Sequence, residues 1–328
     1  MDETKGTRKY KSVEEKTTTP SITQRYLDTY LATDDQCMEF LVAQRWPKGV
    51  HCPRCNSEKV HKLSKPWKWQ CKQCAKNGYR FSPLVGTIFE NTNVGLSVWF
   101  KVIFAMCHSK KGISALQIYR MVGAKYPDKK GAYRTAWYMC MRIRCAMQDP
   151  EFQKLLGVVE ADETYIGGKD RNRHWNKKSA QRRQADPRGP LDEKIGYDKV
   201  GVVGAIARKD NVVAKVIGSA DARTLAGFVR YVVDTEKVEL LATDEKQDYN
   251  YVDARMPHEA VNHGEHEYVR GVVHTNNIDS FWSLVKRGVV GAFHHVSKDY
   301  LPLYLNEFSF RFNNRKDPDI FQKVIAFA

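Results

Sequence analysis

No stretch of the chain stays apolar for long. The most apolar run, residues 99–107, is broken by Lys101 and ends at His108, far short of the ~20 residues a membrane helix needs. No membrane partner is expected. Residues 1–20 carry charges throughout and lack the apolar segment of a secretory signal, so the expected location is the cytoplasm. No internal repeat is visible, and apolar residues are not scarce: 42% hydrophobic against 28% charged excludes wholesale disorder, a collagen-like repeat and a coiled-coil rod. What is short is acid. Asp and Glu total 38 against 53 Lys and Arg, a formal net charge of +15.

The excess charge is concentrated. Residues 45–80 hold ten basic residues and one acid, residues 110–144 nine and one, and residues 169–188 eight and two, leaving the remainder of the chain net acidic. Segregated positive stretches beside an acidic remainder describe a polyanion-binding surface joined to a part that uses carboxylates for something else. Plain solvated basic loops are the alternative.

At 328 residues the chain has room for about two or three folding units. Residues 1–20 are polar and are expected to be a disordered tail. Residues 21–83 are expected to form a unit of two short helices, split near Thr33-Asp34-Asp35, and a turn-rich cysteine segment. Residues 84–150 read as helical, with helices over 98–107, 114–121 and 133–147 and with Arg134, Arg142 and Arg144 on the last. This matches either a DNA-reading helix-turn-helix or a plain three-helix packing unit. Residues 151–328 turn to strands: β-branched runs over 156–162, 199–207 and 211–217, the last two joined through Arg208-Lys209-Asp210. A helix capped by Asp221 and reaching about residue 234, a strand over 238–244, and helices over 277–287 and 298–312 follow. The fold class is α+β to α/β and multidomain, and this last order of elements is that of a ribonuclease-H-like mixed sheet. A basic insertion, residues 169–190, interrupts it.

Four of the eight cysteines stand as Cys52-Pro-Arg-Cys55 and, after a gap of fifteen residues, Cys71-Lys-Gln-Cys74. Two C-x-x-C knuckles at that separation suit one tetrahedral Zn²⁺, and four thiolates leave no open position, so the metal should be structural. Trp67, Trp69 and the surrounding cations make this ribbon a candidate duplex contact. Cys37, Cys107, Cys140 and Cys145 stand singly on apolar helix faces and are expected in the core.

The acids form a second pattern. Asp162 closes the strand Val158-Val159-Glu160-Ala161, and Asp244 closes Leu240-Leu241-Ala242-Thr243. Asp279 lies 34 intervening residues further on, with Lys286 seven residues beyond it, two helical turns along one face. Carboxylates at neighbouring strand ends plus one from a facing helix can hold two Mg²⁺ for an in-line phosphoryl displacement, with Lys286 on the DNA phosphate. Taken singly, each acid also reads as a turn former or a cap. No clustered nucleophile of a Tyr or Ser recombinase stands out.

Four motifs then share one resemblance: Arg45-Trp46-Pro47 before Cys52-Pro-Arg-Cys55; Val159-Glu-Ala-Asp-Glu-Thr-Tyr-Ile-Gly-Gly168; His274-Thr-Asn-Asn-Ile-Asp-Ser-Phe-Trp-Ser-Leu-Val-Lys-Arg-Gly288; and His294-His-Val-Ser-Lys298 with Asn313-Asn-Arg315. Over residues 33–315 the chain resembles the zinc-ribbon-bearing DDE transposases of bacterial insertion sequences. The resemblance implies a ribonuclease-H-like catalytic domain, Mg²⁺ dependence with Mn²⁺ as a substitute, and binding, cleavage and strand transfer of transposon ends. It further implies duplex terminal repeats and target DNA as partners, a homo-oligomeric synaptic complex, and a place on the nucleoid. Asp162 matches the family's first acid, Asp244 the second and Lys286 its basic helix residue. The family usually has Glu where this chain has Asp279; some members have Asn as the third motif residue, so Asn276 is a rival ligand. Within the basic insertion, Lys169, Arg171, Arg173, Lys177, Lys178, Arg182 and Arg183 are expected to contact DNA phosphates, together with Arg134 and Arg142. The alternative reading is a catalytically inactive DNA-binding protein derived from a transposase.

Overall fold

The computed structural model describes residues 22–74, 77–122, 132–148, 152–167, 199–208, 211–244, 256–261 and 273–328. Residues 1–20, the Lys209-Asp210 turn and the basic insertion lie outside these. Thr23 opens α1 (Gln24–Tyr30) by accepting the Tyr26 amide. Thr33 opens α2 (Asp34–Arg45) through a capping box in which Gln36 Oε1 accepts the Thr33 amide and Thr33 Oγ1 accepts that of Gln36. The break expected at 33–35 is therefore made by a cap. Strands β1 (Val60–Lys62), β2 (Trp69–Cys71) and β3 (Tyr79–Phe81) form an antiparallel ribbon in that order. Then come α3 (Leu96–His108), α4 (Ala115–Val122) and α5 (Ala132–Ala146). Asp34 ties the two segments: its Oδ1 accepts the Ser97 amide in the first turn of α3, where acceptors for free N–H groups are needed.

The second half is built on β4 (Leu155–Ile166), β5 (Val200–Ala207), β6 (Val212–Ile217), α6 (Ala222–Val232), β7 (Val233–Asp244) and β8 (His258–Val261). The sheet order is β6-β5-β4-β7-β8; the β6-β5-β4 pairs are antiparallel and the β4-β7-β8 pairs parallel. This is the mixed sheet expected from the sequence, with β8 as a fifth strand beyond the four expected. Helices α7 (Asn276–Gly288), α8 (Leu301–Asn313) and α9 (Ile320–Phe327) follow, with a π-helical turn, Val289–Phe293, after α7. One sheet face packs Val159, Ala161 and Leu241 on Leu225 and Val229 of α6. The opposite face packs Val202 and Ile206 on Ile278, Phe281 and Trp282 of α7. Gly204 makes the second contact possible: a Cβ there would lie 2.7 Å from the Trp282 ring.

The helix capped by Asp221 ends at Val232, two residues before its expected end, and β7 begins at the next residue. The β-branched run Val232-Val233 favours extended backbone once the apolar helix face is complete. The sequence reading foresees neither β8 nor α9, nor does it resolve the three short ribbon strands or the π-helical turn. Helix α9 packs into the N-terminal helical core, where Phe321 meets Phe100 edge-on at 5.5 Å between ring centroids. The Ile88 amide donates to Ala328 O at 2.8 Å.

Candidate active site and zinc ribbon

The ribbon brings its four cysteines together. Their sulfurs all lie within 4.8 Å of one another, with Cys52 Sγ to Cys74 Sγ 3.8 Å and Cys55 Sγ to Cys71 Sγ 3.6 Å. A disulfide has sulfurs ~2.05 Å apart, whereas four sulfurs ~2.3 Å from one Zn²⁺ stand ~3.8 Å from each other. The cluster fits structural zinc. Trp46, Trp69 and Phe81 pack beside Cys52 and Cys71, and Arg45 Nη1 donates to Pro83 O at 2.6 Å, tying α2 to the turn after β3. Register places His61, Gln70 and Arg80 side by side across the three strands, on the side opposite buried Cys71 and Trp69.

In the sheet, β4 and β7 are parallel neighbours, with Glu160 opposite Ala242. Two residues further on, the same register sets Asp162 beside Asp244. Their carboxylates and that of Glu163 lie within 4.8 Å of one another. Glu163 was not singled out from the sequence, although it directly follows Asp162. Burial and then the charges of Asp244, Glu163 and Asp279 push the Asp162 carboxyl up to about 7. An all-oxygen donor set of three carboxylates fits a hard divalent cation such as Mg²⁺.

Asp279 approaches from the first turns of α7. It lies outside the group of three, but its charge reaches Asp162, and its Oδ2 accepts the Thr275 hydroxyl at 3.2 Å. Asn276, the first residue of α7, is exposed. The neighbouring Asn277 turns inward and donates Nδ2 to Glu160 Oε1 at 2.7 Å. Lys286 is exposed near the end of the helix, and Phe281 and Trp282 are buried against the sheet as expected.

The arginines of α5 divide. Arg134 is exposed. Arg142 is half-buried, its guanidinium 5.3 Å from the Tyr138 ring centroid and its Nη1 donating to Glu90 O. Arg144, expected on a DNA-reading helix, is instead 1% exposed and paired with Glu307 Oε2 of α8 at 2.7 Å. It joins the helical unit to α8 of the sheet-containing half and is withdrawn from any duplex. Cys145 is another correction: it is exposed, whereas Cys37, Cys107 and Cys140 are buried, because it lies off the buried stripe that runs through Met139, Cys140, Ile143, Ala146 and Met147. Lys169, Arg171, Arg173, Lys177, Lys178, Arg182 and Arg183 lie outside the described residues. Among the described residues no helix is long and apolar enough to cross a membrane.

Comparison with known proteins agrees with this geometry. Residues 154–313 match the ISXO2-like transposase domain, and residues 32–77 the transposase zinc-ribbon domain. A protein described as uncharacterised in transposable element ISH50 of Halobacterium salinarum is 30% identical over 279 residues, covering 83% of this chain and 88% of that protein. An uncharacterised transposase-like protein of Haemophilus influenzae is 29% identical over 107 residues, 32% of this chain and 84% of its own length. Both matched segments coincide with the two built sites, the cysteine ribbon and the sheet that carries the acids, and the chain belongs to the zinc-ribbon-bearing ISXO2-like transposases of insertion sequences.

Proposed function

We propose that the protein binds the terminal repeats of its insertion sequence and catalyses Mg²⁺-dependent cleavage and strand transfer by in-line displacement at phosphorus. The observation that carries the reading is the pairing of Asp162 with Asp244 on adjacent parallel strands, under a helix whose Asp279 adds to the field on Asp162. Mg²⁺ bound there would activate the attacking oxygen and stabilise the leaving one. Asp162 and Asp244 hold the ions, Asp279 closes the site from α7, and Lys286, on the same helix, draws in a phosphate. The ribbon's basic surface, Arg134 and Arg142 on α5, and the insertion containing Lys169, Arg171, Arg173, Lys177, Lys178, Arg182 and Arg183 hold the duplex by its phosphates. Cleavage at two ends calls for a homo-oligomeric synaptic complex, acting in the cytoplasm on nucleoid DNA.

The test is cleavage of a terminal-repeat duplex by the zinc-loaded protein across a Mg²⁺ titration. Asp162→Ala and Asp244→Ala should each abolish cleavage and leave end binding intact or tighter, since each removes negative charge facing phosphate. Loss of binding in both variants would make these acids structural. The position of Asp279 outside the tight group favours a second reading, an inactive DNA-binding derivative. On the first reading Asp279→Glu, one methylene longer, increases cleavage and Asn276→Ala changes it little; on the second, no variant and no Mg²⁺ concentration gives cleavage.

A further inference from the structure

Helix α7 does not cap itself. Its N-cap residue, Thr275, makes no side-chain bond to the helix backbone and instead donates its hydroxyl to Asp279 Oδ2. The open N–H groups of the first turn are met from the sheet: Glu160 Oε2 accepts the amides of Asn277 at 2.8 Å and Ile278 at 3.2 Å. Its other oxygen, Oε1, accepts Asn277 Nδ2 at 2.7 Å and Arg208 Nε at 2.9 Å, with His274 Nδ1 3.2 Å away. Arg208 Nη2 continues to His274 O at 3.2 Å, the residue before the N-cap. Glu160 is 0% exposed. A carboxylate wholly removed from water persists where charge-assisted donors satisfy both oxygens, and these do.

The carboxylate also sits where the helix dipole is positive. Glu160 is two residues before Asp162 on the same strand, so one side chain joins the backbone that carries Asp162 to the helix that carries Asp279. No catalytic or metal-binding use accounts for it, because every acceptor position is occupied. From this geometry we infer that Glu160 is a positioning residue: it sets the depth and rotation of α7, and thereby the reach of Asp279 to ions held by Asp162 and Asp244. Thr275, freed from capping by Glu160, orients the Asp279 carboxylate. The inference rests on the proposed metal-binding role of these acids.

The experiment measures Mn²⁺ binding to the zinc-loaded, DNA-free protein by electron paramagnetic resonance, alongside amide hydrogen exchange. Glu160→Gln keeps the shape but turns an NH₂ toward donors. It should raise the half-saturating Mn²⁺ concentration by about 10- to 100-fold, the usual loss when a ligand's supporting partner is removed, and speed exchange at the Asn277 and Ile278 amides. Terminal-repeat binding without metal should be unchanged. Faster exchange with unaltered Mn²⁺ binding would overturn the inference and leave Glu160 a structural cap. Asp162→Asn and Asp244→Asn separate the two levels: if these also leave Mn²⁺ binding unaltered, the metal reading itself fails. Should Glu160→Gln not fold, Asn277→Ala and Thr275→Val report on the same device, each with an expected rise of about threefold, and no rise in either overturns it.

Discussion

Asp162 is a carboxyl held against its preference. Its folded-state value, about 7, stands above the ordinary 3.8, so the folded protein keeps a proton that the unfolded chain gives up. Below pH 3.8 both states are protonated and nothing is lost; as pH rises from there to about 7 the native state is progressively penalised, by roughly 2–4 kcal/mol once both have ionised. Asp162→Asn removes the penalty. In Mg²⁺-free buffer the variant should match the parent in urea denaturation near pH 4 and exceed it by that amount at pH 8. Equal stability at both pH values would show that the cluster is well solvated. Added Mg²⁺ should stabilise the parent more than the variant, because only the parent retains the full donor set.

Among the elements, the contact of α7 with the sheet sets the shape of the site, and at Gly204 it is too close to admit a Cβ without a shift. Gly204 stands opposite Asp162 across β4 and β5, so a side chain there meets the Trp282 ring and moves α7 outward. Gly204→Ala should cost about 1–3 kcal/mol in thermal or urea unfolding and reduce cleavage more than end binding; a fully active, equally stable variant would show that Trp282 yields freely. Asp244 and the apolar strands were legible in the sequence because a buried parallel strand is a near-continuous apolar run and an acid ending it is conspicuous, whereas Asp162, expected to close its strand, lies inside β4, which pairs with β5 as far as Ile166. Strand β8, His-Glu-Ala-Val, was not: four mixed residues carry no alternation, and it is defined by pairing with Leu241–Asp244 of β7. Glu160 was equally hidden. In the sequence it is one acid inside a strand, two residues before Asp162, and only the long-range arrival of Arg208 and Asn277 gives it partners. Arg144 misled for the same reason, since its partner Glu307 lies 163 residues away.

At the scale of the whole molecule, the helical core that supports the ribbon is completed from the other end of the chain. Phe321, Val324 and Ile325 of α9 sit among Phe100, Ile103, Met139 and Ile143, while Arg144 and Glu307 join α5 to α8 nearby. Leaving one charge of a buried pair alone costs about 3–5 kcal/mol; Glu307 keeps Arg311 Nη2 3.3 Å from its Oε1, so Arg144→Ala should cost less than that and still unfold at lower urea than the parent. Deleting residues 316–328 should lower the melting temperature of the helical signal in circular dichroism, leave zinc content unchanged, and be reversed by adding the same segment as a peptide. A deletion with no effect on melting would mean that α9 only covers a core already closed. Because α9 leaves the ribosome after the five-stranded sheet, the helical unit begins synthesis first and is completed only once that sheet has been made. A nascent chain therefore exposes an unfilled apolar seat in its first half throughout translation of the second, and a product interrupted within the catalytic half would lack a completed helical unit to present to DNA. Continuity of the reading frame becomes a condition for assembling the N-terminal half.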